Sequence, residues 1–200
     1  MDLELPLPVA TYPLPLRGYP PVSAAVLERQ LHVLVMNHDG RTAAHLAVDG
    51  NAQVVATLPD LPLMVLECAG GAGELLVTAE DASGQVWLVA LDARGQELWR
   101  SALHANQSLT RAPLPLCAGS RAVVIWEAVE GEDRALFLSE IHERHCAPPH
   151  RLRLPGTTHR LEAVLAPSGL ILARLAGFPP ALSLARIDAD GHPTASVPVA

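Results

Sequence analysis

Two hundred residues, half of them hydrophobic, suit one domain or a short repeat array with a core of its own, and exclude a chain disordered by composition. The net charge is −7 and all 14 cationic residues are arginine, which opposes a polyanionic partner such as nucleic acid and excludes Schiff-base, P-loop or acetylated lysine chemistry. Three Trp, two Tyr and two Phe also leave few platforms on which bases or sugars could stack.

The start, "MDLELPLPVA", is acidic where an export signal would be basic, and no apolar run reaches the ~18 residues needed to cross a bilayer. The expected location is therefore the cytoplasm, with no membrane insertion. Cys68, Cys117 and Cys146 form an odd, sparse set that fits a reducing compartment better than a disulfide framework. Abundant Ala, Pro, Gly and Arg without Lys point to a G+C-rich, bacterial genome.

In chain order, residues 1–22 come first, and "LPLPVATYPLPLRGYPP" (5–21) is too proline-rich for a central strand. An extended arm is expected there, packed along the body or along a partner. From residue 23 onward a four-part pattern recurs. The first element reads "SAAVLERQ" (23–30), "PLMVLECAGG" (62–71), "PLPLCAGS" (113–120) and "LEAVLAPSG" (161–169). The second reads "LHVLVMNHDG" (31–40), "ELLVTAEDASG" (74–84), "AVVIWEAVEG" (122–131) and "LILARLAGF" (170–178).

The third element carries an Asp turn: "HLAVDGNAQ" (45–53), "LVALDARGQ" (88–96) and "LARIDADGH" (184–192), with "LSEIHERHC" (138–146) holding His142 at the Asp position. These positions, 49, 92, 142 and 188, step by 43, 50 and 46 residues, the period of propeller blades and similar arrays. A fourth run follows each: "QVVATL", "ELWRSAL", "RLRLPG" and "TASVPV". Eighteen prolines leave little room for helices. Uniform runs such as "AVVIW" predict inner strands covered on both faces, and "RLRL" predicts an outer strand with one wet face.

The expected fold is all-β: a propeller-like array of four four-stranded antiparallel repeats, approximately 23–60, 61–108, 109–156 and 157–200. Three assemblies fit this pattern: a small closed ring, half of a larger ring, and an open array. In a closed ring, 23–30 would pair with 194–199 and hide two edges.

The segment "GELLVTAEDASGQVWLVALDARGQELWRSAL" (73–103) resembles a quinoprotein-type propeller repeat, and "VLAPSGLILARLAG" (164–177) is similar to the entry turn of WD40-like blades. The resemblance implies a propeller-like fold. It does not imply quinoprotein cofactor chemistry, because the vicinal cysteine pair and a metal-carboxylate set are absent.

The densest cluster of chemically able side chains is "HERHCAPPH", with His142, His145, Cys146 and His150. Imidazole and thiolate are zinc ligands, but the spacing matches no metalloprotease helix, and a long exposed hairpin loop accounts for the same residues. Cys68 and Cys117 hold matching places before glycine turns, with Ala166 in the fourth unit, which argues for packing over nucleophilic chemistry. Asp49, Asp92 and Asp188 are expected to accept backbone N–H groups two residues on. Trp87, Trp99 and Trp126 read as packing, and Ser108 and Ser168 lack a nucleophile-elbow context.

No catalytic residue and no cofactor is expected. The function expected is a non-catalytic interaction or scaffold module of a multi-subunit complex, bound to protein partners or to itself. The alternative is a metal-binding protein or enzyme using the 142–150 cluster or a central cavity.

Overall fold

The computed structural model describes residues 19–51, 53–103, 109–130, 133–154, 158–166, 169–177, 179, 181–188 and 192–198. The N-terminal stretch up to residue 18, Ser108, Ser168 and Val199 lie outside the described residues.

The described chain is β throughout, arranged as four antiparallel sheets of consecutive strands, three of them meanders in strict chain order and the third with both β12 and β13 beside β11. The first comprises β1 (Tyr19–Leu27), β2 (Gln30–Met36), β3 (Ala43–Val48) and β4 (Val54–Leu61). The second comprises β5 (Met64–Gly70), β6 (Leu75–Glu80), β7 (Val86–Leu91) and β8 (Glu97–Ala102). The third holds β9 (Leu114–Ala118), β10 (Arg121–Glu130), β11 (Asp133–His142), β12 (His145–Cys146) and β13 (His150–Leu152). The fourth holds β14 (Thr158–Ala166), β15 (Gly169–Ala176), β16 (Ala181–Ile187) and β17 (Pro193–Pro198).

Alternation within each strand sends successive side chains to opposite faces, so an interior sheet contributes to two cores. On β6, Leu75 and Val77 meet Leu27, Leu34 and Met36 of the first sheet. Leu76 faces the other way, joining Leu88 and Trp99 against Val124, Trp126 and Phe137 of the third. Val123 and Ile125 of β10 then meet Leu165, Leu170, Leu172 and Ile187 of the fourth. This is why "LLV" (75–77) and "VVIW" (123–126) are uniformly apolar: both faces of their strands are buried.

The Asp turns at Asp49 and Asp92 form as the sequence predicts, while the residue two positions after Asp188 lies outside the described residues. Asp92 Oδ1 accepts the N–H groups of Arg94 and Gln96, both at 2.8 Å, and Asp49 Oδ1 accepts those of Asn51 and Gln53 at 2.9 and 3.0 Å. Asp188 accepts from His192 N–H at 2.8 Å. These bonds hold the Asp49 carboxyl below the usual carboxylate range.

Two expectations need correction. Strand β1 begins at Tyr19, inside the stretch read as an arm, with a register shift between Tyr19 and Val22 where Pro20 and Pro21 can donate no ladder bond. Residues 142–150 are not a long loop. His142 pairs with His145 across a two-residue turn whose central residues, Glu143 and Arg144, have φ of 48° and 69°. The outer strand then breaks at Pro148 and Pro149 and resumes as β13, held meanwhile by Ala147 N–H on the Glu140 carbonyl at 2.8 Å.

The described sheets also bear on which of the three assemblies forms. The innermost strands approach in succession, β1 beside β5, β5 beside β9 and β9 beside β14, but no comparable approach joins β14 to β1 among the described residues. Instead β1 pairs only with β2, and β17 only with β16. No strand is lent from one sheet to another among the described residues, so the pairing that a closed ring would need between 23–30 and 194–199 is not seen as far as residue 198.

The fit between the first two sheets is tight at one point. A Cβ on Gly70 would lie 1.8 Å from the Val26 carbonyl oxygen, so only glycine lets β5 come this close to β1.

Candidate functional site

Three places combine unusual chemistry or exposure with a defined position in the array: the inner-strand polar cluster, the β11–β12 hairpin and the outer face of the fourth sheet.

The inner strands place polar groups where the sheets converge. Glu127 of β10 is buried, yet its carboxylate takes a 2.9 Å ion pair from Arg111 Nε and a 3.0 Å bond from Thr110 Oγ1. Arg111 also donates to the Thr158 carbonyl at 3.2 Å, and Thr158 Oγ1 accepts from the buried Arg174 guanidinium at 3.0 Å. The group ties the third sheet to the fourth through charge-assisted bonds. Burial of such a charge is tolerated because it is paired.

Beside it, a cavity of about 220 Å³ is lined by Glu67, Arg111, Glu127 and Glu162 together with Leu114 and Leu161. Burial raises the Glu67 carboxyl above its usual range, an effect that Ser23 partly offsets by hydrogen bonding and that Glu162 reinforces as a like charge. Ser23 Oγ lies 3.3 Å from Glu67 Oε2 and 3.2 Å from Cys68 Sγ. Burial pushes the Cys68 and Cys117 thiols up to about 11, so both stay protonated near neutrality and are poor nucleophiles.

The residues singled out for metal binding sit on the β11–β12–β13 edge without converging. His142 is exposed and its Nε2 lies 2.9 Å from Glu140 Oε2, while Glu140 also takes an Arg121 bond at 3.0 Å. His145 is exposed, whereas Cys146, next in the strand, is buried, and its N–H donates to Ser101 Oγ at 3.2 Å. His150 begins β13 and lines an open groove with Arg151, Arg153 and His192. Among the described residues, no group of three His, Cys, Asp or Glu side chains is disposed to hold an ion.

The tryptophans are built into the sheets. Trp99 Nε1 donates to Glu74 at 3.0 Å and Trp87 Nε1 to Asp81 at 2.8 Å, while Trp126 stacks on Phe137 with ring centroids 5.9 Å apart.

The fourth sheet, like the first with its exposed Val26, Leu31 and Val55, carries large apolar side chains in solvent. Its inner face is packed, but its outer face exposes Val164 at 62%, Ile171 at 39%, and Leu182 and Leu184 at 42% each. Cross-strand register joins these into one patch: Val164 stands opposite Ile171, and Ala173 lies between Glu162 and Leu184. Strand β15 has the apolar sequence of a strand covered on both faces, yet Leu170 and Leu172 are buried while Ile171 between them is exposed. Sequence reasoning missed this patch, because "LILARLA" looks like any other inner strand. It also missed the Arg111–Glu127 pair and His32 with His45, whose only sequence signal is a polar residue interrupting an apolar run.

No protein-family model matches the chain, and no curated protein matches its sequence. Solved structures do align with it. A subtype N11 neuraminidase-like protein from a flat-faced bat virus (H18N11) aligns with 88% of this chain and 51% of its own at a TM-score of 0.55 and 8% identity. The AztD protein of Citrobacter koseri aligns over 90% and 48% at a TM-score of 0.48 and 13% identity. Kuenenia stuttgartiensis hydrazine synthase aligns over 94% and 70% at 0.46 and 10%. The chain spans about half the length of the first two. At these identities the likeness to the neuraminidase-like protein shows a propeller-like fold and nothing of activity.

Proposed function

We propose that this chain is a non-catalytic protein-interaction module of a cytoplasmic bacterial complex, and that its docking surface is the outer face of the fourth sheet. The observation that carries the reading is the patch formed by Val164, Ile171, Leu182 and Leu184. Each preceding sheet interface is a stack of two apolar faces, and the patch continues that series without a further layer. The occupant it fits is an apolar β-sheet face of a partner protein, stacked at roughly the 10 Å spacing of packed sheets. Contiguous exposed apolar surface of this kind marks interaction sites in soluble proteins. Protonated thiols and a carboxylate engaged by Arg111 and Thr110 also favour a structural role for the inner strands over a reactive one.

The test starts with proteins that co-purify with the full chain from its native host, each then reconstituted with it as a purified pair. Hydrogen exchange on the pair should show new protection across β14–β17. The double substitution Ile171→Glu and Leu184→Glu should abolish binding. It should change the chain's own unfolding free energy by only about 0.5 kcal/mol, as surface changes usually do. A partner that binds the variant as well as the parent, or a full-length chain that stays monomeric and soluble at high concentration with no partner recovered, would overturn the reading.

A further inference from the structure

His32 on β2 and His45 on β3 are both completely buried, each at 0% exposure. Their rings lie 5.1 Å apart at 53°, and His32 Nδ1 and His45 Nε2 share a hydrogen at 3.0 Å. Among the described residues the two outward nitrogens, His32 Nε2 and His45 Nδ1, have no hydrogen-bond partner. The pair sits where the second sheet leans on the first. A Cβ on Gly95, in the β7–β8 turn, would lie 3.1 Å from His45 Nδ1 and 3.1 Å from Leu58 Cβ. That turn therefore seats directly against the imidazole.

We propose that the His32–His45 pair is a pH-operated latch, which when neutral lets the β7–β8 turn seat on the first sheet and when protonated releases it. The proton count gives the reason. Neutral, the two rings hold two protons over four nitrogens: one in the shared bond and one on a single outward nitrogen. Adding one proton keeps the shared bond but makes both outward nitrogens N–H donors, and neither has an acceptor. It also places a charge at a wholly buried site, which is costly without a counter-ion.

The surrounding charges do not supply one. Glu28, in the β1–β2 turn, is the carboxylate that acts on His32, but its pull is smaller than the effect of burial. On the β7–β8 side, the Asp92 carboxylate is engaged by the backbone N–H groups of Arg94 and Gln96, and Arg94 itself is exposed. From β4 the turn meets Leu58 and Pro59, while Asp60 takes a bond from Asn37. Charge on His32 would further oppose charge on His45.

Burial thus lowers both imidazoles, His45 to about 4. A released imidazole regains the ordinary value near 6.5, so the open form takes up the proton preferentially. The latch holds fully above about pH 6.5, weakens as the pH falls through that value, and reaches its weakest below about 4. Every tenfold by which the open form binds the proton more tightly than the closed form adds tenfold to the opening equilibrium. Acidification across this window should therefore favour opening on the order of a hundredfold.

Native-state hydrogen exchange on the full chain at pH 7.5 and pH 4.5, corrected for intrinsic exchange, reads this directly. Amides of β2, β3 and the β7–β8 turn should lose protection on that order relative to β10 and β11. The double substitution His32→Leu and His45→Leu should abolish the difference. Should that variant fail to fold, imidazole NMR of the unmodified chain decides: His45 should remain neutral at pH 6, and His32 should titrate below the ordinary 6.5. A ring titrating at or above 6.5, loss of protection spread evenly over the four sheets, or an unchanged pH response in a folded variant would overturn the latch.

Discussion

Leu91 and Arg94 are three positions apart and in opposite surroundings. Leu91 is 1% exposed and packs between the first two sheets, while Arg94 tips the Asp92 turn in solvent. Replacing Leu91 with Ala removes apolar contacts and leaves a hole, so it should cost about 2–5 kcal/mol, as should the same change at Ile187 in the third core. Arg94→Ala should stay within about 0.5 kcal/mol. Denaturant unfolding of the three variants checks this, and equal losses at Leu91 and Arg94 would show that the strand is misplaced. These positions are readable from the sequence because the Asp turn pins which residue starts and ends each hairpin. The His32–His45 contact is not. A histidine inside "LHVLVM" announces burial, but which group it meets depends on the β2–β3 register, where His32 stands opposite Ala47 and His45 opposite Leu34.

The hairpins are uneven in quality. Two of them, β1–β2 and β11–β12, turn through Glu-Arg, with φ of 49° and 69° at Glu28 and Arg29 and nearly the same values at Glu143 and Arg144. Two-residue turns with both centres at positive φ favour Asn-Gly, and an ordinary L-residue there loses roughly 1–2 kcal/mol. Replacing Glu28 with Asn and Arg29 with Gly should therefore stabilise the chain by about 1 kcal/mol, after allowing for the greater freedom of glycine in the unfolded state. A higher denaturant midpoint at unchanged slope is the expected readout. A lowered midpoint would mean that the Glu and Arg side chains contribute more than their backbone strain removes. The same chemistry explains why "HERHC" reads as a loop in the sequence: nothing in Glu-Arg signals a tight turn. The turns at Asp81 and Asp92 are plain because Asp and Gly are what such turns require.

Four stacked sheets follow from four copies of one pattern, and so their number and order can be read directly. Closure cannot, because it depends on the angle between successive sheets rather than on any local run. The stack has an asymmetry that hydrogen exchange at pH 7.5 should expose. The second and third sheets have neighbours on both faces, whereas the fourth leaves one face bare. Amides of β6 and β10 should be the slowest to exchange and those of β16 and β17 among the fastest, since local opening follows the number of buried contacts. Equal protection in the fourth sheet of the isolated chain would contradict the exposure of Ile171 and Leu184.

Because every sheet is built from consecutive strands, each is complete within one contiguous stretch, as in 19–61 or 64–102. Pairings of this kind have short sequence separation, so a sheet needs no distant segment before it can form, and one emerging from the ribosome can fold before the next is made. Energetically the array behaves as a line of units coupled to nearest neighbours. A lesion in the fourth sheet should reach the second chiefly by way of the third, apart from the repulsion of Glu162 on Glu67 across the cavity they share. The same property bears on descent: a unit can be gained or lost at the bare end by duplication or deletion without rethreading any other, a route that exchange of strands between the terminal sheets would close.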